Sequence, residues 1–145
     1  MGIGINRHLE IEALLAASKA GLAPQVVHYI LPEGHLVTRY IEGRHWTLEE
    51  YRTRGNLQRI VEAVKRLHAL PPVEAAFSPF LRVEAYAHQA RAMSVLFPQD
   101  FDKLVHKMEA IKRDQARDTY LWQRFCHNDL FCVNVLDDGN VRFAD

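Results

Sequence analysis

The sequence predicts an α+β protein of two unequal parts that meet near Gly43. Three observations predict it: an N-terminal helical pattern, a short hairpin pattern after it, and a long, mostly helical remainder. Asn6 is a candidate N-cap, and Leu9, Ala13, Leu14, Ala17 and Ala20 then recur at helical spacing. Gly21 stops that helix, with Pro24 three residues beyond. Residues 25–31 are rich in Val, Ile and Tyr, Pro32-Glu33-Gly34 is turn chemistry, and 35–41 is again strand-like, which gives an antiparallel hairpin. After Glu42-Gly43, Thr47-Leu48-Glu49-Glu50 has capping-box spacing. The stripe of Leu57, Ile60, Val61, Val64 and Leu67 predicts one helix running past Gly55 to about Leu70, where Pro71-Pro72 ends it. Two more helices are expected near 81–96 and 99–117, parted at Pro98, while 119–125 is left open between helix and strand.

Composition bounds the function. The chain has 145 residues, enough for one compact domain and too few for two ordinary ones. It is 48% hydrophobic and 25% charged, which is globular rather than disordered composition. Eighteen basic and eighteen acidic residues cancel, so neither nucleic acid nor an anionic membrane is expected as the main partner. No apolar run is long enough for a membrane span, and no signal-peptide core is visible, so no membrane insertion is expected. Two cysteines, Cys126 and Cys132, are too few for a disulfide framework, which makes a cytoplasmic location the expectation. Cys126-His127 with Cys132 matches no zinc spacing. The strand-like ending at Arg142-Phe143-Ala144-Asp145, and a helix signal close to the start, lead to the expectation that both ends are cut.

The chemistry concentrates in residues 125–145. His127-Asn128-Asp129-Leu130 is followed by Asn134, five positions after the aspartate, the spacing of a kinase catalytic loop with Asn128 where arginine is usual. Two apolar runs, Val135-Leu136 and Val141-Arg142-Phe143, flank Asp137-Asp138-Gly139-Asn140 and read as a tight hairpin. Such a hairpin is expected to set Asn134 beside Asp145 at roughly the 5 Å spacing of antiparallel pairs. An amide oxygen and a carboxylate are hard ligands suited to Mg2+, which also takes phosphate oxygens. Asp129 is then free to orient an acceptor hydroxyl and receive its proton, and His127 to fix the loop around it. Asp137 and Asp138 read as ordinary turn residues.

On these residues, from Phe125-Cys126-His127-Asn128-Asp129-Leu130 through Asn134-Val135-Leu136 to Phe143-Ala144-Asp145, the chain resembles the choline/ethanolamine kinase family, grouped with aminoglycoside phosphotransferases in the protein-kinase-like fold. The resemblance extends to Ile5-Asn6-Arg7 with Glu10, Gly21-Leu22-Ala23-Pro24, the hinge-like run from Leu36 to Gly43, and Leu67-His68-Ala69-Leu70-Pro71. It implies a partial kinase-like fold, with residues 1–42 as the rest of an N-lobe and 43–145 as the first part of a C-lobe. It implies ATP and Mg2+ as cofactors and a small-molecule alcohol as substrate. Asp129 and His127 would be the catalytic pair, Asn134 and Asp145 the metal ligands. Glu10 would steady the phosphates, and Arg39, Tyr40 and Ile41 would hold adenine. The family's glycine-rich loop and basic strand residue do not fit in the nine residues before Glu10, so the chain alone is expected to be inactive. Alternatives are a kinase-like module that only binds, a kinase for thiamine or an aminoglycoside, and a metal-dependent hydrolase.

Overall fold

The computed structural model describes residues 6–31, 33–74, 77–117 and 124–144. They divide between two compact units, one within 1–75 and 124–145, the other within 76–123.

In the larger unit the first element is helix α1 (Arg7–Lys19). The Asn6 side chain accepts hydrogen bonds from the backbone of His8 and Leu9, satisfying two of the donors that every helix start leaves open. At the other end Gly21 is left-handed (φ 69°). Leu22 N–H reaches Ala17 O and Gly21 N–H reaches Ser18 O, both at 2.9 Å, a Schellman closure. Strands β1 (Val26–Ile30) and β2 (His35–Thr38) pair antiparallel as a two-stranded sheet. The second strand was expected to run to Ile41; its pairing ends at Thr38, and Arg39 makes one further backbone bond to Gln25 (2.7 Å).

The second sheet has three strands in the order β3 (Arg44–His45), β4 (Val135–Asp137), β5 (Val141–Phe143), all antiparallel. The hairpin β4–β5 forms, with Val135 opposite Phe143 and Asp137 opposite Val141, a register that extends to Ala144 opposite Asn134, where Asp145 was expected. The tiny strand β3 comes from a stretch whose only sequence signal was a break in pattern. Gly43 leads into it because a Cβ there would lie 2.8 Å from both Asp137 O and Leu136 Cδ2.

Thr47 opens helix α2 (Leu48–Tyr51) with both halves of the capping box in place. The single long helix expected here is instead two. Thr53 accepts from Asn56 N–H and its hydroxyl donates to Glu50 O (2.9 Å), so it caps a new helix, α3 (Arg54–His68), rather than continuing the old one. The buried face of α3 is Ile60, Ala63 and Leu67, while Leu57 and Val61 of the expected stripe are exposed.

Ala17, Leu22, Trp46, Ile60, Leu67, Val135, Val141 and Phe143 belong to one core cluster. Leu22 and Val135 are fully buried. Backbone bonds stitch the corner after α1 to the hairpin, with Phe143 N–H donating to Leu22 O at 2.7 Å. The guanidinium of Arg142 also donates to Gly21 O.

Among the described residues the smaller unit holds two helices, α4 (Pro79–Ala92) and α5 (Phe101–Gln115), linked by Lys112–Glu84 at 2.5 Å. Ser78 caps α4, and Pro79 occupies the first turn, where a missing N–H costs nothing. Arg91 lies over the rings of Phe97 and Phe101 (5.3 and 5.8 Å). Most of the segment 119–125, left open by the sequence, lies outside the described residues, as does the turn residue Pro32.

Candidate active site

Between His127 and Asp129 the chain turns through Asn128, which is left-handed at φ 67°. Asparagine tolerates that conformation better than other residues with a Cβ. The turn folds the backbone so that Asp129 N–H donates to His127 Nδ1 at 3.3 Å. The imidazole meets the ring of Phe143 edge-on (5.1 Å between centroids, 65°). It is thus held between the loop and strand β5.

Five residues after the aspartate, the turn of 3-10 helix Cys132–Asn134 delivers Asn134 into the interior. Its side chain is 9% exposed, and its Nδ2 donates to Asp129 Oδ2 at 2.8 Å and to Asp129 O at 3.1 Å. A buried amide needs such partners. With the amide nitrogen donating to Asp129, the oxygen, Oδ1, is the atom that Asn134 can offer a cation. The hairpin ladder carries on through Ala144 N–H to Asn134 O (2.9 Å), so Ala144 pairs with Asn134 across the strands. Asp145, expected as the second metal ligand, lies outside the described residues.

Below this loop sits a polar knot that sequence reasoning missed. Asp137, expected to be a turn residue, accepts two hydrogen bonds from Arg59 (2.7 Å each), one from Trp46 Nε1 (2.9 Å) and one from Gly139 N–H (3.0 Å). The Arg59 guanidinium above all holds its carboxyl down to about 2. Arg59 also lies over the Trp46 ring at 5.1 Å. Near by, His45 Nδ1 bonds Val135 O at 3.0 Å and Tyr51 OH donates to Leu130 O at 2.9 Å. Apart from the Gly139 bond, these partners are 78 to 91 residues apart in sequence, so no local pattern could reveal them. The one local signal was an arginine set beside Ile60, within a turn of an apolar stripe.

The remaining candidates stand elsewhere. Glu10 pairs with Arg7 at 2.7 Å, both partly exposed. Arg39, Tyr40 and Ile41 line an open cleft of about 610 Å3 with Leu15 and Lys19 of α1 and with Asp138 and Arg142 at the hairpin turn. Arg39 is tied to Gln25 through Nε (3.0 Å), and Tyr40 is 83% exposed. The structure therefore joins His127, Asp129 and Asn134 into one group. It puts Arg39, Tyr40 and Ile41 in a second, beside the other end of the hairpin.

The arrangement leaves the amide oxygen of Asn134 for a hydrated divalent cation and the carboxylate of Asp129 for an acceptor proton. Among the described residues no cluster of three or more His, Cys, Asp or Glu side chains could enclose a metal. One amide oxygen from the described residues suits an ion that keeps water and phosphate ligands rather than one caged by protein. No helix among the described residues is long and apolar enough to cross a membrane.

Among curated proteins no similar sequence is found. A solved structure of a choline/ethanolamine kinase family protein from Mesorhizobium loti superposes with a TM-score of 0.78 at 29% identity, over 99% of this chain. The chain spans about half of that protein, 49% of its length. The α+β architecture is thus that of part of a protein-kinase-like fold. Residues 6–144, nearly the whole sequence, match the phosphotransferase enzyme family, and the chain belongs to that family.

Proposed function

We propose that the chain carries part of an ATP-dependent kinase that phosphorylates a hydroxyl of a small molecule, with choline or ethanolamine as the leading acceptors. The observation that supports this reading most is the Asp129–Asn134 hydrogen bond, which joins a candidate proton acceptor to a candidate metal ligand. In this reading residues 1–42 belong to an N-lobe and 43–145 to a C-lobe.

Phosphoryl transfer asks a protein chiefly for positioning and for charge neutralisation. Asp129 accepts the proton of the acceptor hydroxyl and aims that oxygen. Asn134, through Oδ1, and Asp145 would hold Mg2+, which supplies charge neutralisation on the polyphosphate when bound. His127 fixes the backbone of Asp129 through Nδ1. Arg39, Tyr40 and Ile41 would hold adenine against the cleft they line, and Glu10 would act on the phosphates through a basic partner. Thiamine or an aminoglycoside in place of the amino alcohol would leave these roles unchanged.

Because the chain spans about half of the matched structure, turnover is assigned to the whole fold, and the 145-residue chain alone is expected to show little or none. Measurable phosphorylation of choline by the purified chain would overturn that expectation. The site itself is tested by calorimetric titration with ADP, with and without Mg2+. The expected result is magnesium-dependent binding that weakens at least about tenfold in Asp145→Ala, the loss of one charge-assisted contact. A chain that binds a protein partner, and ignores both nucleotide and substitution, is instead a kinase-like binding module.

A further inference from the structure

The loop that carries Asp129 is poorly anchored by packing. Leu130 and Phe131, the two residues after the aspartate, are 40% and 53% exposed. Their burial therefore contributes little to holding the backbone in place. Hydrogen bonds to three successive carbonyls do that instead. Asp129 O accepts from Phe131 N–H (2.9 Å) and from Asn134 Nδ2, and Phe131 O accepts from Asn134 N–H (2.9 Å). Those bonds are internal to the loop and its 3-10 turn. The bond to the middle carbonyl, Leu130 O, comes from Tyr51, 79 residues away.

Tyr51 is well placed to be a fixed point. It ends the one-turn helix α2, which is clamped at its start by the Thr47–Glu50 capping box. Two bonds from Arg44 to the Glu50 carboxylate (2.8 and 2.9 Å) hold it from the side. Thr53 Oγ1 and Asn56 Nδ2 both donate to Glu50 O at 2.9 Å, tying α2 to α3. The tyrosine ring packs on the core and meets Trp46 edge-on at 6.4 Å. Burial, and to a lesser degree Cys132, raises the hydroxyl pKa above its ordinary value, so at neutral pH it stays protonated and able to donate.

We infer that Tyr51 is a positioning residue for the catalytic loop: it pins the Leu130 carbonyl to the α2–α3 platform and so fixes where Asp129 points. It does not touch substrate, and its functional meaning rests on the phosphotransferase reading above. Without the hydroxyl, the segment 129–131 keeps the bonds to its own turn and to His127 Nδ1, and the Leu130 carbonyl loses its tie to the platform.

The test is Tyr51→Phe, which keeps the ring and its packing and removes one donor. Amide hydrogen exchange and the NMR shift of the Leu130 carbonyl are followed in the folded chain. The expected result is exchange about tenfold faster at the Phe131 and Asn134 amides, the size expected from losing one such bond. Exchange at Ile60, Ala63 and Leu67 should be unchanged, and the Leu130 carbonyl should move upfield. Unchanged exchange at 131 and 134 overturns the inference. So does an acceleration shared equally by α3, which would make Tyr51 a general stabiliser. Titration of the wild-type chain with magnesium–ADP separates the two readings: absent binding sinks the kinase reading, whereas only the exchange result decides the latch.

Discussion

The two small sheets of the larger unit are built on opposite terms. In β3–β4–β5 the longest strand has three residues, yet Val135, Val141 and Phe143 are buried and the strands are tied to Trp46, His45 and Arg59 by side-chain bonds. In β1–β2 the strands are longer, but Val27, Tyr29, Ile30, Leu36 and Val37 are exposed, and what joins them is chiefly the backbone ladder. Ladder length is therefore a poor guide to rigidity here. Residues set on the first sheet, Asn134 above all, are fixed by burial and side-chain hydrogen bonds. Of the residues that follow the second, Arg39 to Ile41, none is buried, and Arg39 is held by one side-chain bond, to Gln25.

That contrast can be broken in order of effect. Leu22→Ala removes a fully buried side chain behind β5, and denaturant unfolding should show a loss of about 3 kcal/mol. A loss below about 1 kcal/mol would mean that the core does not close around the hairpin.

Asp137→Ala should cost less, on the order of 2 kcal/mol, since Arg59 is partly exposed and solvent screens the pair. The pH dependence gives an independent check. The Asp137 carboxyl falls from 3.8 when unfolded to about 2 when folded. Its contribution is therefore present above the unfolded value and is lost as pH falls through the folded one. Wild type and Asp137→Ala should differ fully in stability at pH 6 and converge by about pH 1. Curves that stay parallel down to low pH would remove the ion pair from the account.

Val37→Ala, on the exposed sheet, should change stability by less than about 0.5 kcal/mol. A larger loss would show that β1–β2 has a packed face after all.

What the sequence disclosed, and what it hid, follows the same division. Asn6, the Thr47–Glu50 box and Gly21 are local devices whose signal lies within four residues, and each is where the pattern put it, whereas the hairpin turn starts one residue later than expected, because Asp137 pairs within β4. The five-residue interval between Asp129 and Asn134 was equally legible, because one turn of 3-10 helix closes it. The break at Arg52-Thr53 was passed over: Thr53 is a capping residue type, but the apolar stripe after it was joined to the capping box before it as one helix. The strand β3, the Asp137 knot and the Tyr51 bond were invisible, because each joins the segment 44–59 to the segment 130–139. Tertiary partners of that separation leave no periodicity.

The account stands on Asn134 presenting its oxygen, beside Asp129, to a cation that carries a nucleotide. Paramagnetic broadening by manganese–ADP, manganese standing in for magnesium, tests this directly. The Asn134 side-chain amide signals should broaden among the earliest, together with backbone signals of residues 129–134. Sharp Asn134 signals alongside broadened ones at Asn140, at the far end of the hairpin, would contradict the claim.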